Sequence, residues 1–352
     1  MPRTPLRRTR MSVALSLAAA LAALAPGTAL AQGAFGPFTS LTVFGDSFSD
    51  TGNLLALTGG TQPPSPPYAP GRLSNGPLWV EYFAARVGRP ADAAPVFLPA
   101  APSGVYAVGV ATTSPVAGGP PSTAEQVGRY LTGPGAADPT GLYVLFAGAN
   151  DLGQASALPT DAARRAAAQA AAHNLAVQAG QLAGIGATAV LLPSLPDLGL
   201  TPGALAVPGR SAILSEMTDV FNEALAGELV ALRGTLPGTE FLGLHLDNLF
   251  TNVLLDARSG GARYGLTNVS VPCLPPFAPP GAPSCDVSVF ADQLHPTTRA
   301  HELIADAVYD RVVLGEDVGV VPEPTTLALV GGGLVALGAG AVRRRRRVPT
   351  GR

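Results

Sequence analysis

The strongest constraint on the fold is an alternation that runs through most of the chain. Short apolar runs, of strand rather than helix length, are separated by longer segments with helical spacing. Residues 41–44 (LTVF), 105–110, 142–146 (LYVLF), 187–192 (ATAVLL) and 240–244 read as strands. Residues 79–87 bring Trp79, Phe83 and Val87 onto one helical face. Residues 161–183 are Ala-rich, with Asp161 as an N-cap, and 211–232 is again helical. A helix over 296–313, with Pro296 in its first turn, closes the series. Strands that are apolar on both faces need cover on both sides. The expected fold class is therefore α/β, a three-layer α/β/α sandwich with a central parallel sheet. The Pro/Gly-rich stretches 58–78 and 270–284 read as loops.

The two ends read as addresses, so the expected division is a signal peptide over 1–31, one folded domain over 32–320 and a sorting segment over 321–352. The first ten residues carry four arginines and no acid. An apolar run from Val13 to Leu24 follows, broken only by Ser16, and Ala29-Leu30-Ala31 supplies small residues for cleavage. That is the plan of a secretory signal cut by signal peptidase, although an N-terminal anchor helix is the competing reading. Near the other end, Pro322-Glu323-Pro324 precedes eighteen uncharged residues, 325–342, and then the block Arg343 to Arg347. Eighteen helical residues reach roughly 27 Å, just enough for a hydrocarbon core. A plain tail anchor accounts for the span alone. The three-part order resembles the PEP-CTERM sorting signal, which implies processing by an exosortase. It also implies transient inner-membrane anchoring through 325–342 and delivery to the surface or matrix of a Gram-negative bacterium.

Charge excludes one class of partner. All 22 basic residues are arginine, and with both ends removed, residues 32–321 keep 12 arginines against 23 acids. Phosphate backbones need a positive footprint, so nucleic acid is not expected as a partner. Cys273 and Cys285, the only cysteines, flank part of the second Pro-rich loop. In an exported chain such a pair reads as a disulfide, worth about 3 kcal/mol in the chain-entropy model. No metal cluster, phosphate loop or cofactor fingerprint is evident. The run Gly331-Gly332-Gly333 lies in the apolar tail without a strand–helix context.

Four segments carry candidate chemistry. Gly45-Asp46-Ser47 follows the first strand directly, and ligand sites of open α/β sheets lie at that carboxyl edge. Gly45 suits a tight turn there. Asn150, in Gly148-Ala149-Asn150-Asp151, follows the 142–146 strand, where an amide is placed to stabilise an oxyanion. Asp292 precedes His295 by three residues, so one turn brings carboxylate to imidazole, the base and its orienter. Residues 106–111 offer a further backbone N–H. Taken singly, each is equally an N-cap or an Asx turn.

Taken together, these blocks resemble the SGNH/GDSL hydrolase superfamily, in its lipase-like esterase branch. Ser49-Asp50-Thr51-Gly52-Asn53 extends the first block. The stretch Gly71 to Gly76 followed by Trp79, and Pro196-Asp197-Leu198-Gly199, are similar to that branch as well. The resemblance spans about 41–310 and implies a flavodoxin-like sheet order. It further implies Ser47 as nucleophile, His295 as general base and then acid, and Asp292 as its orienter. The implied oxyanion hole comprises the Ser47 N–H, the Asn150 side chain and a backbone N–H of Gly109 or Val110. In one block the chain departs from the pattern: Val105 stands at the usual Asn position and Val110 at the second Gly.

The leading expectation is a secreted carboxylic ester hydrolase working through an acyl-enzyme on Ser47. Phe44, Phe48, Leu54 and Leu55 either line an acyl pocket or belong to the core. An O-acetylesterase acting on exopolysaccharide shares this chemistry, though a single Trp and seven Tyr do not suggest a wide sugar platform. A non-catalytic matrix protein that retains the fold is the alternative from another class.

Overall fold

The computed structural model describes residues 38–97, 99, 101–133 and 138–319. The segment 1–31 expected to be a signal peptide, the 325–342 span and the Arg cluster lie outside these residues. Among the described residues no helix is long and apolar enough to cross a membrane.

Five parallel strands form one sheet: β1 (Leu41–Gly45), β2 (Gly104–Val105), β3 (Leu142–Phe146), β4 (Ala189–Pro193) and β5 (Glu240–Leu244). Their spatial order is β2-β1-β3-β4-β5. β1, β3 and β4 are buried along their whole length, as expected of strands covered on both faces. The helices are α1 (Asn53–Leu57), α2 (Trp79–Arg86), α3 (Thr123–Leu131), α4 (Ala149–Ala155), α5 (Asp161–Gly184), α6 (Pro202–Leu205), α7 (Arg210–Thr235), α8 (Leu246–Arg258) and α9 (Thr298–Tyr309). α3, α4, α5 and α7 pack on one another as one layer, and α2, α8 and α9 as the other. Trp79 and Phe83 of α2 are completely buried, as are Phe44 and Tyr143 on the sheet.

Three expectations need correction. The strand predicted over 105–110 ends at Val105. There Tyr106 and Ala107 both donate to Val43 O, doubling up on one acceptor, while the Asn53 side chain takes the carbonyls of Val105 and Ala107. Residues 105–108 stay buried and apolar while Val110 is half exposed, so their pattern mimics a strand that the hydrogen bonds do not make. Thr160, rather than Asp161, caps α5, its side chain accepting from Ala163 N. Pro296 lies ahead of α9, whose cap is Thr297. Thr297 accepts from Ala300 N and donates to Ser288 O, which pins the helix start directly behind His295.

Register puts the candidate chemistry at one edge. Gly45 pairs with Phe146 at the carboxyl ends of β1 and its neighbour β3, the central strand of the sheet. Ser47 therefore leaves β1, and Asn150 leaves β3, at the same rim. Gly45 serves close approach rather than a turn: a Cβ there would collide with Phe146 O. Gly148 combines both needs, with φ 122° and a would-be Cβ 2.7 Å from the Phe221 ring.

Candidate active site

Ser47, His295 and Asp292 form a continuous chain of hydrogen bonds. Ser47 Oγ lies 2.9 Å from His295 Nε2, and His295 Nδ1 lies 2.7 Å from Asp292 Oδ2. Burial alone would raise the Asp292 carboxyl. Hydrogen bonds from His295, its charge and the Tyr68 hydroxyl outweigh burial and hold it at about 2. An ionised carboxylate only accepts, so the proton between them sits on Nδ1 and Nε2 is left to accept the Ser47 hydroxyl. Asp292 Oδ1 also accepts the N–H groups of Leu294 and His295, an Asx-type turn that folds the carboxylate onto the imidazole.

The loops around this relay are tied to it. Ser74 Oγ donates to Pro296 O, and Asn75 Oδ1 accepts from Thr298 N. The segment 71–76 thus clasps the His295 turn from more than 200 residues away in sequence. Tyr68 donates to Asp292 Oδ2 and packs its ring against Phe277 at 5.8 Å. Phe277 belongs to the second Pro-rich loop, closed by a disulfide between Cys273 and Cys285 with Cα atoms 5.1 Å apart. That loop is in turn held by Cys273 N to Phe290 O and Leu274 N to Ala291 O, just ahead of Asp292. Tyr68 was absent from the expected site residues. A lone Tyr in a Pro-rich loop has no local signature, and only the tertiary fold brings it to Asp292.

The first block is largely scaffolding. Asp50 accepts N–H groups from Gly52, Asn53, Leu54 and Gly109. Trp79 Nε1 donates to Ser49 Oγ, and the Gln126 amide pairs with both Gly45 N and Gly45 O. Asp46 is different. It is fully buried beside Ser47, and desolvation raises its carboxyl to about 7 despite the Phe48 N–H and the charge of His295. Asp151, which receives the Thr113 N–H and hydroxyl, is also raised by burial.

Each oxyanion candidate has a definite status. Asn150 Nδ2 donates to Ala111 O at 2.9 Å, which anchors the amide, and approaches Asp46 Oδ2 at 3.4 Å. Its second N–H is therefore only weakly engaged. Gly109 does not fit the role expected of it, because its N–H is committed to Asp50 Oδ2 at 2.7 Å. Val110 makes no hydrogen bond through its N–H among the described residues, and it is half exposed. It is also the one non-glycine with positive φ among them, at 67°. A β-branched residue in that region is strained, and such strain clusters at functional sites.

Of the four apolar residues considered for an acyl pocket, Phe44 belongs to the core, where it packs against Tyr106 and Tyr130. Phe48 instead reaches the site: its ring meets His295 and His301 at 6.2 Å, and it lines an apolar cleft with Phe250, Phe290 and Leu294. His301 is buried behind it, where desolvation and then the charge of His295 lower it to about 3, so it is neutral. Among the described residues no cluster of three metal-ligating side chains forms.

A hydroxyl, an imidazole and an ionised carboxylate in series at the carboxyl rim of a parallel sheet are the equipment of nucleophilic acyl transfer on an α/β fold. The chain belongs to the GDSL-like lipase/acylhydrolase family, which it matches over residues 41–308. Residues 320–347 match the PEP-CTERM protein-sorting motif. Over 334 residues the chain is 30% identical to an uncharacterized protein of Pseudomonas putida from the trpE-trpG intergenic region, with 86% of this chain and 53% of that protein covered. It thus spans about half the length of that relative. It is 29% identical over 298 residues to a phosphatidylcholine-sterol acyltransferase of Aeromonas hydrophila, covering 77% of this chain and 78% of that one. A carbohydrate acetylesterase from Sinorhizobium meliloti superposes over 79% of this chain and 99% of its own, with 16% identity and a TM-score of 0.44.

Proposed function

We propose that residues 32–320 form a secreted serine ester hydrolase that works through an acyl-enzyme on Ser47. The observation that carries this reading is the 2.9 Å approach of Ser47 Oγ to an imidazole already oriented by an ionised Asp292. As Ser47 Oγ attacks the ester carbonyl, His295 Nε2 takes its proton, and Asp292 stabilises the imidazolium without being protonated. The N–H groups of Ser47 and Val110 and the Asn150 amide receive the negative oxygen. Collapse expels the alcohol with the proton from His295. Water then attacks the acyl-enzyme by the same route in reverse.

The PEP-CTERM match supports export, with residues 1–31 removed by signal peptidase. On this reading 321–352 is processed by an exosortase after transient anchoring through 325–342. The apolar cleft beside Phe48 supports lipid or other acyl esters, as does the activity named for the Aeromonas relative. Hydrolysis of 4-nitrophenyl esters over a range of acyl lengths, set beside acetate release from an acetylated glycan, tests it. The expected result is kcat/KM rising from acetate to medium chains. Acetate release alone points to a polysaccharide O-acetylesterase. Absence of turnover on both leaves the non-catalytic matrix protein.

A further inference from the structure

Two cavities flank the site, and their chemistry differs. The first is the apolar cleft of Phe48, Phe250, Phe290 and Leu294. The second is an open cavity of about 340 Å³, lined by Val110 and Asn150 together with Gln154, Gln293 and Arg210 among others. Leu198, Thr201 and Leu294 border both. The first is lined mainly by apolar side chains and suits an acyl chain, whereas the second is mixed, with Val110, Leu198 and Leu214 beside the polar groups just named. The second therefore faces the alcohol part of an ester.

Arg210 is the one charged side chain among the residues lining that second cavity. Its Nε is buried with no hydrogen-bond partner among the described residues. No carboxylate pairs with it either, whereas Arg72, Arg86, Arg89, Arg164, Arg165 and Arg299 each hold one. Arg233 and Arg311 donate to backbone carbonyls instead, and Arg129, whose Nε is likewise buried and unbonded, lies 4.9 Å over the Phe97 ring. A body with 23 acids against 12 arginines has carboxylates to spare, yet none reaches this guanidinium. A partly buried cation is costly without a counter-charge, and a guanidinium matches phosphate and carboxylate oxygens in a planar, two-pronged way.

We propose that Arg210 forms an anion subsite in the leaving-group cavity, so that the preferred esters carry a phosphate or carboxylate on their alcohol. This rests on the ester-hydrolase reading for its catalytic meaning, but its binding arm does not need turnover. Calorimetric titration of glycerol 3-phosphate and of glycerate into wild type, Arg210→Gln and Arg210→Lys compares the two anion sources directly. Wild type binds at least one of them, Arg210→Gln binds it about ten-fold more weakly, and Arg210→Lys retains part of the affinity. The stronger ligand tells phosphate from carboxylate. In kinetics, kcat/KM for 1-hexanoylglycerol 3-phosphate exceeds that for 1-hexanoylglycerol, and this ratio falls about ten-fold in Arg210→Gln. Because the ratio is taken within one preparation, partial misfolding does not mimic it. No binding in wild type, equal binding in Arg210→Gln, or an unchanged ratio overturns the subsite. Intact, Arg210-dependent binding with no turnover of either ester overturns the hydrolase reading and leaves the subsite standing.

Discussion

Asp46→Asn isolates the electrostatics of the loop that carries Ser47. Burial raises the native Asp46 carboxyl from 3.8 to about 7. Between those values the native protein holds a proton that the unfolded chain has released. Stability contributed by this group is therefore greatest below pH 3.8, falls as pH rises through the window, and levels off above 7. About three pKa units correspond to about 4 kcal/mol. Asn cannot ionise but keeps an oxygen for the Phe48 N–H that Asp46 Oδ1 now accepts. Any packing cost of its amide near Asn150 is the same at every pH. The stability of Asp46→Asn relative to wild type should thus climb by about 4 kcal/mol from pH 4 to pH 8. Urea unfolding followed by fluorescence of Trp79, in steps of one pH unit, measures it. Taking the difference between the two proteins cancels His301, whose lowered pKa acts oppositely by removing stability as pH falls from 6.5 toward 3. A difference that stays flat with pH refutes a carboxyl titrating near 7.

Three further outcomes follow from the site. Asn150→Ala should lower kcat by about a hundred-fold to a thousand-fold with little change in KM, as loss of one oxyanion donor does; a deficit confined to KM contradicts that role. At position 110 the φ of 67° favours glycine, so Val110→Gly should be more stable than Val110→Ala by about 1 kcal/mol in thermal unfolding; the opposite order means the strain is absent. Tyr68→Phe should reduce kcat roughly ten-fold while KM holds, because Asp292 loses a donor to its charged form; unchanged kcat makes the contact structural only.

Much of this was readable because parallel strands buried on both faces leave an apolar run with abrupt ends. β1, β3 and β4 are such runs, and the polar residues directly after β1 and β3 stand out against them. The segment 105–110 misled for the same reason: burial writes the pattern, whereas strand pairing depends on where Asn53 and Val43 place their hydrogen bonds. α3 escapes the sequence reading, being short and opening just after Gly119-Pro120-Pro121, and so does α8, which follows β5 with only His245 between them and has no turn signal to mark its start. Ser74, Asn75, Tyr68 and Arg210 matter through partners or cavities assembled from distant segments. No local spacing encodes those meetings, and the proposal of Val110 rather than Gly109 as oxyanion donor draws on a hydrogen bond to Asp50 that the sequence does not reveal.

The most direct measurement is the intact mass of the protein after exposure to a fluorophosphonate, with the modified peptide mapped. One adduct on the hydroxyl at position 47, absent from Ser47→Ala, is the expected result. An unmodified wild-type protein, beside a reference serine esterase labelled in the same tube, contradicts an activated nucleophile at this rim.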